Sequence, residues 1–321
     1  MKYLRKLIEK VHFAIIRRWY LYSSKKRAII LVVHRTTSGK VWENAYNNPP
    51  EYLREMFKIM KQRGFEFVTI DEVMSKKPLK PLSVSVVCDD GFADNLHEAI
   101  PIFQEFSIPY CIYLPVGFVL REYVSLEAMA EYMFHNSNWK CKGIDKGNTP
   151  VENRESIEKA VNTARNAPTL QDIQKAKVSF MNENTTDLIN EMDQLYLSLE
   201  QVKNMTKDPL CTFGAHAYHH AQMRRMTNKE LLHNTKDVKL ALENITGKPV
   251  KHFAYPFGGF DDNYTREFKA VKSAGYMSGS MFWEGIVTDK FISHGYMIPR
   301  IQICSSSTPQ ENVKRYENLL K

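Results

Sequence analysis

Cysteine is scarce and unpaired in this 321-residue chain: Cys88, Cys111, Cys141, Cys211 and Cys304 make an odd number with no short paired spacing. That argues against a disulfide framework and against a zinc site built on thiolates, and a reduced, intracellular setting is the expectation. No stretch of about 20 apolar residues occurs, so no membrane-spanning helix is expected. The uninterrupted run Phe13–Ile16 is too short for the core of a signal peptide, and no small-residue cleavage site follows it. A Gly-x-Gly-x-x-Gly or P-loop pattern is also missing, which weakens a nucleotide-binding reading.

Net charge is missing from most of the chain as well. The net charge is +8, and residues 1–27 alone hold nine basic side chains against Glu9. Residues 28–321 therefore sum to zero, which argues against a nucleic-acid partner. Within the tail, Leu4, Leu7, Ile8, Val11, Ile15, Trp19 and Tyr22 recur at helical spacing, with Arg5, Lys6, Lys10 and Arg17 away from them. A basic amphipathic helix of this kind suits an anionic membrane surface. Docking on its own domain is the alternative. The localisation expected is cytoplasmic, peripheral at the inner membrane face.

From residue 28 to 321 strand-like and helix-like segments alternate. Strands are expected at 28–34, 65–70, 83–88, 110–114, 211–215, 252–255, 276–281 and 297–303. Helices are expected at 50–63, 94–106, 228–245, 264–274 and 309–320. Repeated β-then-α units mean a parallel α/β sheet, open or closed into a barrel. His34, Asp89, Asp90, His216 and Tyr255 fall at or just past the C-terminal ends of their strands, and Arg300 lies within one. A barrel gathers such positions into one site, so a (β/α) barrel is preferred. Residues 119–200 interrupt the pattern with polar, partly helical sequence and no cluster that would carry chemistry. They read as an insertion that either shapes access to the site or elaborates the surface.

Two constellations carry chemistry. The run Ser83–Gly91 is apolar and β-branched, then ends in Asp89, Asp90 and a glycine. Carboxylates at the end of a buried strand need a metal, a cation or a reacting proton. Adjacent strand residues face opposite sides, so the two can take different roles. The second constellation is Phe213–His220, where His216 and His220 stand four apart, a spacing that on a helical turn puts both imidazoles on one face. His219 competes as a partner for His216. One Asp and two His leave an open coordination position, the arrangement of a catalytic metal site. Zinc fits first, with cobalt, nickel and iron also compatible with N,N,O ligation.

These residues carry a resemblance. Cys88-Asp-Asp-Gly-Phe92, Gly214–His220 and Phe253–Gly258 resemble the three motifs of the polysaccharide deacetylases, carbohydrate esterase family 4, the NodB-homology group. Leu31-Val-Val-His34, placed at the N-terminus, is similar to the circularly permuted branch that includes poly-N-acetylglucosamine deacetylases. The resemblance implies a deformed (β/α) barrel of about seven strands and metal-dependent removal of acetyl groups from sugars. It implies Asp89 as general base, Asp90, His216 and His220 as metal ligands, and His34 as general acid. It also places Tyr255 and Phe257 at the oxyanion and substrate, with the Phe257 N–H as donor. The expected substrate is an N-acetylated glycan, either a surface polysaccharide or its lipid-linked precursor. Ala217 stands where Ser or Thr is usual, and Ala254 where an arginine often orients the base; Arg300 is the candidate replacement for that arginine. Both departures leave open a non-catalytic glycan-binding or scaffold protein.

Overall fold

The computed structural model describes residues 11, 14–15, 26–42, 46–259 and 265–321. The amphipathic helix expected over 1–27 lies almost wholly outside them; Val11, Ala14 and Ile15 are helical and exposed. Nine short strands are described: β1 (Lys26–Val33), β2 (Glu66–Phe67), β3 (Ser83–Cys88), β4 (Tyr110–Leu114), β5 (Cys211–Ala215), β6 (His252–Ala254), β7 (Ser278–Ser280), β8 (Val287–Thr288) and β9 (Ile301–Gln302). All six residues of β3 are buried. This is what a continuous apolar run does in a parallel sheet whose two faces are both covered.

The sheet runs β7-β6-β5-β4-β3-β1, every neighbour parallel, with β9 parallel on the far flank of β1. One bridge, Ser280 to Ile298, ties β7 to the segment that becomes β9. The sheet thereby curls into a deformed barrel of seven parallel strands. Its seam is thin: the Met281 N–H donates to Ile298 O at 2.8 Å and the Ile298 N–H to Gly279 O at 3.0 Å. The short β8, not foreseen from the sequence, pairs antiparallel with the start of β1. At two residues it is below the length at which period-two patterning is visible.

The helices follow their apolar stripes. Helix α1 (Pro50–Gln62) buries Leu53, Met56, Phe57 and Met60, opens on a proline and is followed by Gly64 at φ 80°. The segment 94–106 begins as a π-helical turn, Asn95–Ala99, before becoming α2 (Ile100–Glu105). The insertion contributes α3 (Leu126–His135), α4 (Pro150–Arg165) and α5 (Leu170–Asn184). They enclose a second core around Met129, Met133, Trp139, Ile157, Phe180 and Met192. Helix α5 was not read as one, because its buried stripe is Ile173, Lys177 and Phe180. A lysine at the centre of the stripe breaks the apolar period. Later come α6 (Val238–Thr246), α7 (Thr265–Ser273) and α8 (Pro309–Leu320), the last opened by a capping box between Thr308 and Glu311.

Candidate active site

Asp89 and Asp90 follow β3, but not as strand residues. The Asp89 N–H still pairs with Val33 O at 3.0 Å, and the Gly91 N–H folds back to Asp89 O at 2.9 Å. Asp90 is left-handed, with φ 68°. A non-glycine residue there costs on the order of 1–3 kcal/mol. The expectation of opposite-facing carboxylates is corrected by this turn: both acids enter one cavity, side by side. Gly91 follows at φ 71°, and an added Cβ would lie 2.6 Å from Leu114.

The two histidines reach Asp90 without a helix. Residues 216–220 form a loop in which Ala217 (φ 60°) and His220 (φ 46°) are left-handed. Residue spacing alone pointed to a helical turn; the backbone achieves the convergence by two reversals instead. Asn234 holds the loop in shape. Its buried Oδ1 accepts from the Tyr218 N–H at 2.9 Å and the His219 N–H at 3.2 Å, and its Nδ2 donates to Glu230 O at 2.8 Å. It sits on a π-helical turn, His233–Asp237, a local widening often found at functional sites. The Gly117 N–H docks on Tyr218 O at 2.9 Å. A Cβ at 117 would come within 2.7 Å of that oxygen. Asn234 supplies from a distant segment the bracing that Ala217 lacks, and no local motif marks it.

His216 Nε2 lies 3.2 Å, and His220 Nε2 2.9 Å, from Asp90 Oδ1. The His216 Nδ1 is 2.8 Å from Ala254 O, so this nitrogen carries the proton and Nε2 presents a lone pair. A lone pair facing a carboxylate oxygen is repulsive unless a cation or proton lies between them. The buried Asp90 Oδ1 has no hydrogen-bond partner, and among the described residues this triad is the one group with donor atoms all within 4.8 Å of one another. The donor set therefore fits a divalent cation. Burial opposes ionisation of Asp90, but the two imidazoles outweigh it and hold its pKa well below the usual range. Burial lowers His220, but Asp90 outweighs it and pushes the imidazole up to about 9. A proton on His220 is what a metal would have to displace. His219 turns away from the triad, with its ring 4.6 Å from that of Tyr123 and 5.5 Å from that of His233.

Asp89 is managed differently. Arg300, only 2 % exposed, donates from a terminal guanidinium nitrogen to Asp89 Oδ1 at 2.7 Å and from Nε to Met281 O at 3.0 Å. Burial raises the Asp89 pKa, yet Arg300 and the imidazoles of His216 and His34 bring it below the ordinary value. Its other oxygen, Oδ2, stands 3.9 Å from both His34 Nε2 and His216 Nε2. His34 closes the opposite side, its ring 5.2 Å from Tyr46 and 5.6 Å from Phe282. Burial pushes His34 below its ordinary pKa, with Asp90 and Asp89 opposing.

His34, Asp89, Asp90, His216, His220 and Arg300 line one cavity of about 130 Å³. Of the two oxyanion candidates, Tyr255 is already committed. Its N–H donates to Ser280 O at 3.0 Å and its hydroxyl to Tyr296 O at 3.3 Å. Phe257, left-handed at φ 59°, donates its N–H to no described backbone oxygen. Glu127 and Arg165 also line the cavity. They come from the insertion, whose sequence holds no cluster that announces chemistry: each stands alone among residues that serve the helix.

A family model described as "Polysaccharide deacetylase" matches residues 144–278. That stretch holds His216, His220 and Phe257, while His34, Asp89, Asp90 and Arg300 lie outside it. Among solved structures, the Streptococcus pyogenes deacetylase PplD in complex with acetate superposes with a TM-score of 0.62 at 15% identity, covering 91% of this chain and 98% of that one. IcaB from Ammonifex degensii gives 0.59 at 15% identity, covering 91% and 97%. A polysaccharide deacetylase from Bacillus cereus gives 0.59 at 17% identity, covering 92% and 70%. No curated protein sequence matches the chain. The fold is a deformed barrel of parallel strands, and its site gathers an Asp-His-His triad beside a buried Asp-Arg pair. More narrowly, the chain resembles the polysaccharide deacetylases, in sequence over residues 144–278 and in fold over nearly its whole length.

Proposed function

We propose that this chain is a metal-dependent hydrolase that removes acetyl groups from N-acetylated sugars of a surface polysaccharide or its lipid-linked precursor. One observation carries the reading. A carboxylate held by a buried arginine, an Asp-His-His triad and a third histidine, far apart in sequence, face one small cavity. Asp90, His216 and His220 would hold the ion. A divalent ion there supplies Lewis acidity and lowers the pKa of water. Zinc suits the N,N,O donors, and cobalt, nickel and iron remain compatible.

The chain's own residues do the rest. Asp89 presents Oδ2 to the cavity as the base that takes a proton from the attacking water, while Arg300 on Oδ1 keeps it ionised and aimed. His34 lies across from it and, in its protonated form, delivers a proton to the departing amine. The Phe257 N–H, which donates to no described backbone oxygen, is the donor for charge that develops on the acetyl oxygen. Ala254 forfeits the arginine often found beside the base, and Arg300, which stands just before β9 and not within a strand as expected, fills that place. The resemblance to a deacetylase solved with acetate supports the same chemistry. The basic tail, residues 1–27, extends the reading to an anionic inner membrane face.

The test is metal content together with acetate release from N-acetylglucosamine oligomers. The expected result is about one zinc per chain and metal-dependent release, with His34→Ala losing at least about 100-fold in kcat at unchanged metal content. Stoichiometric metal without acetate release would leave a glycan-binding protein instead.

A further inference from the structure

The insertion places two opposite charges on the cavity wall, Glu127 and Arg165. Glu127 stands in the first turn of α3, and its carboxylate makes no ion pair or side-chain hydrogen bond among the described residues. Arg165 is the last residue of α4. Its guanidinium lies 4.9 Å over the Phe257 ring, and one terminal nitrogen reaches Asn162 Oδ1 at 3.3 Å. Its Nε is buried without a partner. The two charges are not paired with each other. Both also line a smaller recess that continues past His220 and Phe257.

Half-buried charges with unused hydrogen-bonding capacity are costly unless a ligand satisfies them. The end of α4 is also fixed over the site. Arg225, shortly after the metal loop, donates to Asn166 O at 2.6 Å and Ala167 O at 3.1 Å. An acid and a base of zero summed charge suit neutral hydroxyl groups, which both donate and accept. A phosphate or carboxylate would be repelled by Glu127.

We infer that Glu127 and Arg165 form a sugar-recognition subsite. They bind ring hydroxyls of a neutral N-acetylhexosamine while its acetamide faces Asp89 and the Asp-His-His triad. The insertion is thus the specificity half of the site, and this rests on the deacetylase reading above.

Zinc-loaded full-length protein would be assayed with the N-acetylglucosamine tetramer, following acetate release by kinetics and binding by calorimetry. Arg165→Ala and Glu127→Ala are each expected to raise KM about ten-fold or more, with kcat changed less than about three-fold, as for a lost hydrogen bond to a charged group. Zinc content and melting temperature should match wild type. Arg165→Lys, which keeps charge and bulk but not the planar fork, should show an intermediate KM and covers the case in which Arg165→Ala does not fold. An unchanged KM in both alanine variants overturns the subsite. So does a fall in kcat at constant KM, which would make Arg165 a prop for the Phe257 loop. If wild type binds metal and tetramer but releases no acetate, the deacetylase reading fails alone, and weaker tetramer binding in the variants still upholds the subsite. No tetramer binding by wild type overturns it.

Discussion

Arg300 shows how much rests on one side chain. It is wholly enclosed, spends two nitrogens on Asp89 and Met281 O, and lies 5.7 Å from the Tyr113 ring. Removing one partner of a buried ion pair leaves the other charge uncompensated, at a cost of roughly 3–5 kcal/mol. Arg300→Ala is therefore expected to lower stability by several kcal/mol, and to abolish turnover while the Asp-His-His triad still loads metal. Chemical denaturation and metal analysis check the two halves. Arg300→Lys should rescue stability in part but not activity, since an ammonium cannot reach both acceptors in a fixed plane. The sequence nominated Arg300 for a pattern reason, an arginine missing from position 254, and the structure places it against Asp89. It did not nominate Asn234, whose two accepted hydrogen bonds depend on a loop conformation that nothing in residues 216–220 announces.

At the scale of elements, the strands were the most legible and the insertion the least. Strands β3, β4 and β5 stand at the boundaries their apolar runs gave. Helix α5 was hidden by Lys177, which is fully buried, donates to Val124 O and points its ammonium at the Tyr123 ring. Burial pulls its pKa down to about 7, against a weaker opposing pull from Glu127. The unfolded lysine titrates near 10.4. Below about pH 7 the folded chain carries a buried charge, and the destabilisation is at its full size. Between pH 7 and 10.4 the unfolded state binds more protons, so stability rises with pH, and above that range the cost is gone. Lys177→Met should therefore raise the melting temperature at pH 6–7, with the gain shrinking toward pH 10. A gain that does not depend on pH would show that lost packing, rather than charge, is what the substitution relieves.

For the whole molecule, charge and chemistry are separated along the chain. The tail holds the entire net charge and the neutral remainder holds the site. With about 1 kcal/mol per basic residue near an anionic bilayer, the full chain should cosediment with phosphatidylglycerol-rich vesicles. It should not do so with phosphatidylcholine alone, and about 0.5 M salt should release it. Equal binding to both lipids would remove the electrostatic basis of the proposal.

The amino-acid sequence by itself determined the alternation of elements, the donor types of Asp90, His216 and His220, and the place of His34, Asp89, Asp90 and His216 just past strand ends. Those follow from local chemistry: apolar runs bury, and carboxylates and imidazoles do not end buried strands without a task. Only the tertiary structure decided that Asp89 and Asp90 share one cavity, that Tyr255 is spent on the fold, and that Arg300 meets Asp89 across 211 residues. It also brought Glu127 and Arg165 to the wall. The reason is geometric. Left-handed turns at Asp90, Ala217, His220 and Phe257, and contacts between segments distant in sequence, are fixed by how the barrel closes, and no local pattern encodes them.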